Sequence, residues 1–360
     1  MSDRALQPSA GLAFASAPRR ATGGRDGARW LARIAGLVAA FLLLPLVALA
    51  VTALFGESRS LAHLASTVLW RYVANTLLLV GLVGTGVVLV GTGTAWLVTM
   101  CRFPGRKVFE WAMILPLALP AYVTAYAYTQ LLQHPGPVQT FLRSVTGWGP
   151  RDYWFPEIRS LEGAALVFVM VLYPYVYLLA RAAFLQQSAK AFEASRTLGA
   201  SPWRSFLAVA LPMARPAIAA GAALALMETL ADFGAVAHFG VETFTTAIYK
   251  TWFSIGDRVA AVQLSLMLVA FVFLLVMLER IERGRRRVAE SRPGRGLARF
   301  ELAGWRAWGA FLACFLPLAL GALVPIAMLA TLAVQYGHDP LSPRYVTLTL
   351  NSLTLAGIAA

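Results

Sequence analysis

Charged residues are scarce in this chain of 360 residues, where they make up 13% of the sequence, against about 25% in a typical soluble domain. Acidic residues are rarer than basic ones, with 17 Asp and Glu against 31 Lys and Arg. Hydrophobic residues make up 59% of the chain, and the mean hydropathy is +0.66. This composition excludes an ordinary soluble enzyme and a disordered regulator, and it indicates a polytopic membrane protein.

Cysteine and histidine are also few. The two cysteines, Cys101 and Cys314, lie in or beside apolar segments, which argues against a disulfide framework and a metal-binding pair. We interpret the four scattered histidines mainly as solvated loop residues, with metal capture as the less favoured alternative: His63, His134, His238 and His338. The sequence has no HExxH or GxSxG motif, which disfavours a membrane-embedded enzyme. We predict no cofactor and no permanently bound metal.

Seven apolar segments are long enough to cross a bilayer as helices, because a span needs about 20 mostly apolar residues. These segments are 31–55, 73–100, 108–133, 161–185, 216–236, 259–278 and 307–334. An eighth segment, 346–360, is too short to cross, and we therefore expect the chain to be a fragment of a longer protein. The predicted fold is an all-α, polytopic transmembrane helical bundle.

Basic residues are concentrated in alternate loops. Of the 31 Lys and Arg, 23 lie in residues 1–33, 101–107, 181–215 and 279–306. Because cytoplasmic loops are the basic ones, this bias predicts a cytoplasmic N-terminus. The net charge of +14 is therefore explained by loops that orient the protein in the lipid membrane, and it does not require a nucleic-acid partner. Residues 1–29 are predicted to be a cytoplasmic tail.

A short motif occurs twice in the chain. The segment Asn75–Gly81 resembles Asn351–Gly357, and each follows an Arg-Tyr-Val, at Arg71 and Arg344. A period of about 275 residues predicts a duplicated membrane domain with six spans per unit. The predicted organisation is a first domain at 30–278, a basic cytoplasmic linker at 279–306, and the start of a truncated second domain at 307–360.

The predicted loop between the fourth and fifth spans carries strong local signals. Residues 191–198 favour a short helix, and Gly199 can adopt the left-handed conformation that ends it. Ser201 is a good N-cap and Pro202 suits the first helical position, so a second short helix should start there.

This second helix should have one apolar face. Trp203, Phe206 and Leu207 lie at positions i, i+3 and i+4. Pro212 and Pro216 are then expected to introduce the fifth span. We predict a helix–turn–helix protrusion outside the membrane, with apolar residues that a partner protein would cover.

The same loop resembles the EAA loop of ABC-importer permeases, the membrane subunits of binding-protein-dependent uptake systems. The family pattern is Glu-Ala-Ala, three residues, Gly, nine residues, Ile, one residue and Leu-Pro. Matching positions are Glu193, Ala194, Gly199, Leu211 and Pro212, while Ser195 replaces the second Ala and Val209 replaces Ile.

The resemblance implies that residues 193–203, which include Ser201 and Trp203, form a coupling helix. This helix would dock into a groove of a cytoplasmic ABC ATPase, expected as a dimer. Because the sequence has no GxxxxGK[ST] phosphate-binding loop, the ATPase should be a separate chain.

Two further segments, 115–128 and 228–257, resemble the ferric-iron permeases, whose fused halves each carry six spans. The resemblance implies an importer of ferric iron in the bacterial inner membrane, served by a periplasmic substrate-binding protein. Thiamine, polyamine and phosphonate permeases share parts of the pattern and remain alternatives.

Pro116 and Pro120 predict a kink in the third span, because each removes a helical hydrogen bond.

Four side chains in these segments are candidates for the translocation pathway. Glu228 and Asp232 share one face of the fifth span, and Tyr122 and Tyr126 share one face of the third. A carboxylate within a bilayer normally faces water or a partner, and oxygen ligands suit a hard trivalent ion. The alternatives are that Asp232 caps the span, that Glu228 bonds within the bundle, and that the tyrosines are interfacial anchors.

The outward segment 239–258 is predicted either to touch the binding protein or to form an ordered re-entrant segment.

The competing functional class is an ion-coupled secondary transporter that uses Glu228 and Asp232 as ion sites. The EAA-like loop argues against this class, because a secondary transporter has no ATPase to dock.

Overall fold

The computed structural model describes residues 24–186, 199, 201–284, 299–337 and 342–359. Within these residues the regular secondary structure is helical apart from two strands, β1 (Cys101–Arg102) and β2 (Phe300–Glu301). The α-helices are α1 (Gly24–Phe55), α2 (Leu61–Thr67), α3 (Leu69–Met100), α4 (Arg106–Ala112), α5 (Ala121–Leu132), α6 (Pro137–Thr146), α7 (Leu161–Gln186), α8 (Pro202–Ser205), α9 (Leu211–Ala231), α10 (Gly234–His238), α11 (Phe244–Tyr249), α12 (Arg258–Gly284), α13 (Trp305–Leu318), α14 (Val324–Gln335) and α15 (Pro343–Ala359). A 3₁₀ turn lies at Leu115–Ala118, and π-helical turns lie at Phe206–Ala210, Lys250–Ile255 and Ala319–Leu323.

The chain divides into two units, residues 1–55 and residues 56–360. In the first unit, α1 is apolar from Ala32 to Phe55, which is long enough to cross a membrane. Pro45 lies inside this helix.

Six helices in the described residues are long and apolar enough to cross a membrane, in agreement with six of the seven apolar segments. The remaining segment forms a bent pair of helices, which adds a seventh crossing if the pair is one span. The six are Ala32–Phe55, Leu69–Met100, Leu161–Gln186, Trp203–Ala231, Arg258–Met277 and Trp305–Gln335. The predicted all-α polytopic bundle is therefore confirmed.

The core of the second unit is the contact of α7 with α3 and α9. A Cβ added at Gly86 of α3 would lie 2.3 Å from Cγ2 of Val169, and one added at Gly91 would lie 2.7 Å from Cβ of Val176. Gly221 of α9 meets the same part of α7, since its added Cβ would lie 2.7 Å from Cα of Val176. Helix backbones can approach this closely only where small residues lie between them. The van der Waals contact that results favours helix association in lipid.

The third span is broken, as its two prolines predict. The helical stretches Arg106–Ala118 and Ala121–Thr146 meet at an angle of 92°. Pro120 lies at the junction with an extended backbone, at φ −58° and ψ 139°. Because a proline ring removes a donor and clashes with the preceding turn, the chain changes direction here.

One end of the second unit carries many arginines, and we name the residues 101–107, 199, 201–206 and 299–306 the basic end. There β1 pairs in parallel with β2, with Cys101 opposite Phe300 and Arg102 opposite Glu301. Nearby, Glu110 of α4 forms an ion pair with Arg181 of α7. These contacts join the ends of several helices at one level of the bundle.

At the opposite end, Asp257 joins two distant segments. Its Oδ1 accepts a hydrogen bond from the backbone N–H of Ala260 at 3.0 Å, in the first turn of α12. Its Oδ2 accepts bonds from the backbone N–H of Ser60 at 3.0 Å and from the Ser60 hydroxyl at 2.8 Å. The Ala260 bond first, and then the Ser60 and Ser58 bonds, hold the pKa of the Asp257 carboxyl well below its usual range, although burial opposes them.

The first copy of the repeated motif also has a structural role at this end. Arg71 of α3 forms an ion pair with Glu242 at 3.3 Å, and Asn75 Nδ2 donates to the Glu242 carbonyl at 3.0 Å. The backbone N–H of Phe244 donates to Thr76 Oγ1 at 3.3 Å. The motif therefore holds residues 241–244 against α3.

We expect Gly91→Ala to lower the stability of the protein. Its new methyl group would meet backbone atoms of α7, and overpacking of this kind costs about 1–3 kcal/mol. Gly93→Ala is the matched control, because a Cβ there meets nothing within 4 Å and alanine is the better helix former. Thermal unfolding in detergent micelles should show a lower midpoint for Gly91→Ala only. Equal midpoints would contradict the close packing of α3 and α7.

We expect Asp257→Ala to destabilise the protein by about 1–2 kcal/mol, the usual cost of losing a helix cap. Because the folded-state pKa is depressed, the charged carboxylate contributes stability above the unfolded pKa. That stability is lost as pH falls through the folded pKa.

Unfolding of parent and variant as a function of pH tests this expectation. The difference between the two should be largest near neutrality and should shrink in strong acid. Asp152→Ala is the control, since Asp152 accepts a local loop bond, from Gly149 N–H at 2.7 Å. A difference that does not change with pH would argue against a role for the Asp257 charge.

Candidate functional sites

The loop that resembles the EAA motif is described in part. Gly199 has φ +76°, the left-handed conformation predicted for it. The Ser201 hydroxyl accepts a hydrogen bond from the backbone N–H of Arg204 at 3.3 Å, so the predicted N-cap is confirmed. Glu193 and Ala194 lie outside the described residues.

The second short helix of this loop is not a separate element, which corrects one expectation. From Pro202 the helix continues through the π-helical turn at Phe206–Ala210 into α9, as one crossing from Trp203 to Ala231. The ring of Pro212 would clash with the carbonyl four residues earlier, and the π turn widens the helix just before that proline. The prolines therefore lie within a continuous helix, where a new element was expected to begin.

The predicted apolar face of this helix is divided between two environments. Phe206 is buried, whereas Trp203 is 64% exposed and Leu207 is 45% exposed. The rings of Trp203 and Phe206 lie 5.3 Å apart. Farther along, Leu211 and Pro212 are half-buried at the start of α9. The loop thus presents an exposed tryptophan that is in contact with the core of the bundle.

At the other end of this helix, Asp232 lies where α9 stops. Its Oδ1 accepts a hydrogen bond from the backbone N–H of Ala235 at 2.7 Å, and its carbonyl accepts one from Thr245 Oγ1 at 2.9 Å. Asp232 is thus the residue at which α9 ends, as the capping alternative has it, while its carboxylate caps the start of α10. The residue is half-buried.

Glu228 lies one turn before Asp232 and is exposed. Its carboxylate makes neither a hydrogen bond nor an ion pair with the part of the chain that is described. The alternative of a hydrogen bond within the bundle is thus not found among these residues. A charged group on an apolar spanning helix normally faces water or a partner.

Tyr122 and Tyr126 lie on α5, 56% and 42% exposed. Helix α10 packs beside them, since a Cβ added at Gly234 would lie 3.0 Å from Cβ of Tyr122. The ring of His238, also on α10, lies 6.1 Å from the ring of Tyr126. The structure therefore brings the tyrosine segment to the helix that directly follows Asp232.

His238 is a residue that sequence reasoning missed. It was expected to be a solvated loop side chain, but it is half-buried, and its Nε2 lies 3.0 Å from Thr129 Oγ1 of α5. The available signal was its position six residues after Asp232, in a segment that resembles a known permease. Among the described residues, no three His, Cys, Asp or Glu side chains are grouped closely enough to hold a metal ion.

The segment 239–258 is ordered and packed into the bundle. Thr243 and Thr246 are buried and form a capping box at the start of α11, with Thr243 N–H donating to Thr246 Oγ1 at 2.8 Å. Tyr249 and Trp252 remain exposed. Whether the exposed side touches a binding protein stays a prediction.

Comparison with known proteins fits this arrangement. Residues 88–288 match the family model of the binding-protein-dependent transport system inner membrane component. The chain belongs to this family. Its described helices give it the several membrane crossings that an inner membrane component needs.

Individual relatives differ in their substrates. The chain is 29% identical over 307 residues to the Fe(3+)-transport system permease protein FbpB 2 of Haemophilus influenzae, covering 83% of this chain and 55% of that protein. It is 30% identical to the sulfate transport system permease protein CysW of Escherichia coli, covering 74% of this chain and 92% of that protein. It is 29% identical to the molybdenum transport system permease protein ModB of Escherichia coli, covering 56% and 86%. The chain thus spans about half the length of the iron-transport relative.

A solved structure supports the fold. A chain of the bacterial alginate ABC transporter, solved in complex with an alginate-bound periplasmic protein, superposes with a TM-score of 0.57 at 17% identity. The likeness covers 72% of this chain and 96% of that one.

We expect Gly199→Ala to distort the turn before α8, since an L-residue in the left-handed conformation costs about 1–2 kcal/mol. Copurification of a tagged chain with the separate ABC ATPase that the sequence predicts should fall in this variant. Gly147→Ala is the matched control, because Gly147 has φ +71°, an open surrounding and a position away from the basic end. Equal copurification of both variants would argue against the Gly199 turn as a docking element.

Proposed function

We propose that this chain is a permease component of an ATP-driven importer in the bacterial inner membrane. In this proposal it performs no covalent chemistry. A separate cytoplasmic ATPase dimer supplies the energy, and a periplasmic binding protein delivers the substrate. One observation carries the proposal: a left-handed glycine and an N-capped helix start lie at the basic end, and the helix runs on into a membrane crossing.

We assign the basic end and the N-terminus to the cytoplasm. The support is the concentration of 23 of the 31 Lys and Arg in one set of loops, since cytoplasmic loops are enriched in these residues. The Gly199 turn lies at the same end. A cytoplasmic ATPase could therefore reach it.

The proposed coupling loop comprises Glu193, Ala194, Gly199, Ser201 and Trp203. An exposed tryptophan beside a helix start is suited to a partner's groove, because apolar side chains gain most from burial at an interface. The helix behind it begins its crossing near Leu211 and Pro212. Displacement of the docked loop would then move this crossing as a rigid body.

Ferric iron is the proposed substrate. Two carboxyl groups lie near the end of α9, where Glu228 is exposed and Asp232 is half-buried, and the side chains of Tyr122 and Tyr126 are exposed on α5. Carboxylate oxygen is a ligand that hard cations prefer. The same carboxylates would repel an anion, which favours a cation over an oxyanion. The printed name of the Haemophilus relative supports iron.

An oxyanion is the second candidate substrate, because other relatives are named for sulfate and molybdenum transport. Thiamine, polyamines and phosphonates remain alternatives on the resemblance of the sequence. The family match favours ATP-driven transport over the ion-coupled class.

We also propose that the protein is duplicated, with a first domain at 30–278, a linker at 279–306 and a second domain starting at 307.

We expect Glu228→Gln and Asp232→Asn each to lower ferric-iron uptake about tenfold, which corresponds to about 1.4 kcal/mol in the transport barrier. The Asn variant keeps an oxygen for the Ala235 cap, so it removes the charge with little effect on the helix end. Uptake of radiolabelled ferric iron by cells expressing the full-length gene is the measurement.

Glu157→Gln serves as the control, because Glu157 is an exposed carboxylate outside the candidate pathway. Unchanged iron uptake in both pathway variants would exclude the carboxylates from the pathway. If cells take up sulfate or molybdate in place of iron, the oxyanion candidate replaces iron while the importer class stands.

A further inference from the structure

Five aromatic rings meet at the basic end around Trp96 of α3, and we name them the Trp96 cluster: Trp96, Phe184, Trp203, Phe206 and Phe300. The Trp96 ring lies 4.7 Å from Phe206, 5.8 Å from Phe184 and 6.2 Å from Phe300. Trp96 itself is 6% exposed. The rings come from α3, α7, the helix of the proposed coupling loop and β2, which are far apart in sequence.

One edge of the cluster belongs to the proposed coupling loop. Trp203 is 64% exposed and contacts Phe206, which is buried against Trp96. Aromatic rings are rigid and have few rotatable bonds, and packed cores shift between arrangements as units. A displacement applied at Trp203 would therefore reach Trp96 with little loss.

The other edge of the cluster is fixed to the chain that follows residues 285–298. Phe300 lies in β2, which pairs with β1 at the end of α3. The Leu302 N–H donates to the Arg102 carbonyl at 3.1 Å, and Arg299 Nε donates to the Thr99 carbonyl at 3.1 Å. Helix α13 begins shortly afterwards, at Trp305. The strand thus holds the start of α13 against the ring cluster.

Helix α13 is itself packed along one side. Ala310 and Cys314 are buried on one side of it, and Phe311 lies 5.3 Å from Phe109 of α4. A push on β2 would therefore be carried into α13 as a shift of the whole helix.

We propose that Trp96 is a positioning residue that joins the coupling loop to α13. Through it, one ATPase contact would move the crossing that follows the loop, α9, and also the crossing that begins at α13. This proposal rests on the proposed docking of the ATPase at the loop. It adds that one docking event acts on helices on both sides of the segment 285–298.

The test measures the nucleotide-driven movement of α13 in the full-length protein bound to its ATPase. Spin labels would replace Phe141 of α6 and Trp305 of α13, which are 70% and 79% exposed, with Cys101 and Cys314 changed to alanine. The distance between the labels is measured with and without a non-hydrolysable ATP analogue. This readout does not depend on the identity of the substrate.

The variants are Trp96→Leu, Trp96→Phe and a matched control, Phe239→Leu, a buried aromatic residue near α10. We expect the distance shift in the parent, in Trp96→Phe and in Phe239→Leu, and a loss of at least half of it in Trp96→Leu. ATPase binding should persist in all of them. If Trp96→Leu does not fold, Phe300→Leu is the substitute, because Phe300 is only half-buried and its loss removes the contact with β2.

A full shift in Trp96→Leu, or in Phe300→Leu where that variant is used, would overturn the relay and leave the proposed function intact. Failure of the ATPase to bind the parent chain would contradict the proposed function, and the relay with it. Binding without any shift in the parent would overturn the relay alone. A structural role for Trp96 without the relay would lower the melting temperature and leave the shift unchanged.

Discussion

The close approach of α3 and α7 is the constraint on which the rest of the structure depends. In lipid, helices gain little from hiding apolar side chains, because the acyl chains are equally apolar, so association depends on contact at short range. Gly86 and Gly91 bring the backbone of α3 against α7, and Gly221 does the same for α9. A side chain at any of these positions would separate the helices and weaken the contacts at both ends of the bundle.

The contact of α9 with this core connects the two candidate sites, the coupling loop and the candidate pathway. One helix runs from Ser201 at the basic end, through the π turn before Pro212, to Asp232 at the opposite end, and Gly221 attaches its middle to α7. The coupling loop and the candidate pathway are therefore the two ends of one element. A helix resists compression along its axis, so a displacement at one end is felt at the other. The π turn and the two prolines are the places where this helix can bend.

Local and periodic features were predictable from the sequence. Hydropathy located the six long apolar helices and the bent pair, because a helix must satisfy its own backbone in lipid. The roles of Gly199 and Ser201 and the bend at Pro120 follow from backbone geometry. Long-range contacts were not predictable. Nothing in the spacing indicates that Asp257 caps α12 and binds Ser60, that Phe300 reaches Trp96, or that His238 packs beside Tyr126. The continuity of α8 with α9 was missed because two prolines usually start or end a helix, whereas here a π turn accommodates them.

The two interpretations of Asp232 were posed as alternatives, but its geometry makes them compatible. The cap uses Oδ1, which accepts the Ala235 N–H at 2.7 Å at the start of α10. Capping therefore fixes the position of the carboxyl group that a cation pathway would need. A neutral cap such as serine could accept the same bond at the start of α10. The structural role of Asp232 explains an acceptor at this position, and only its electrostatic role requires the charge.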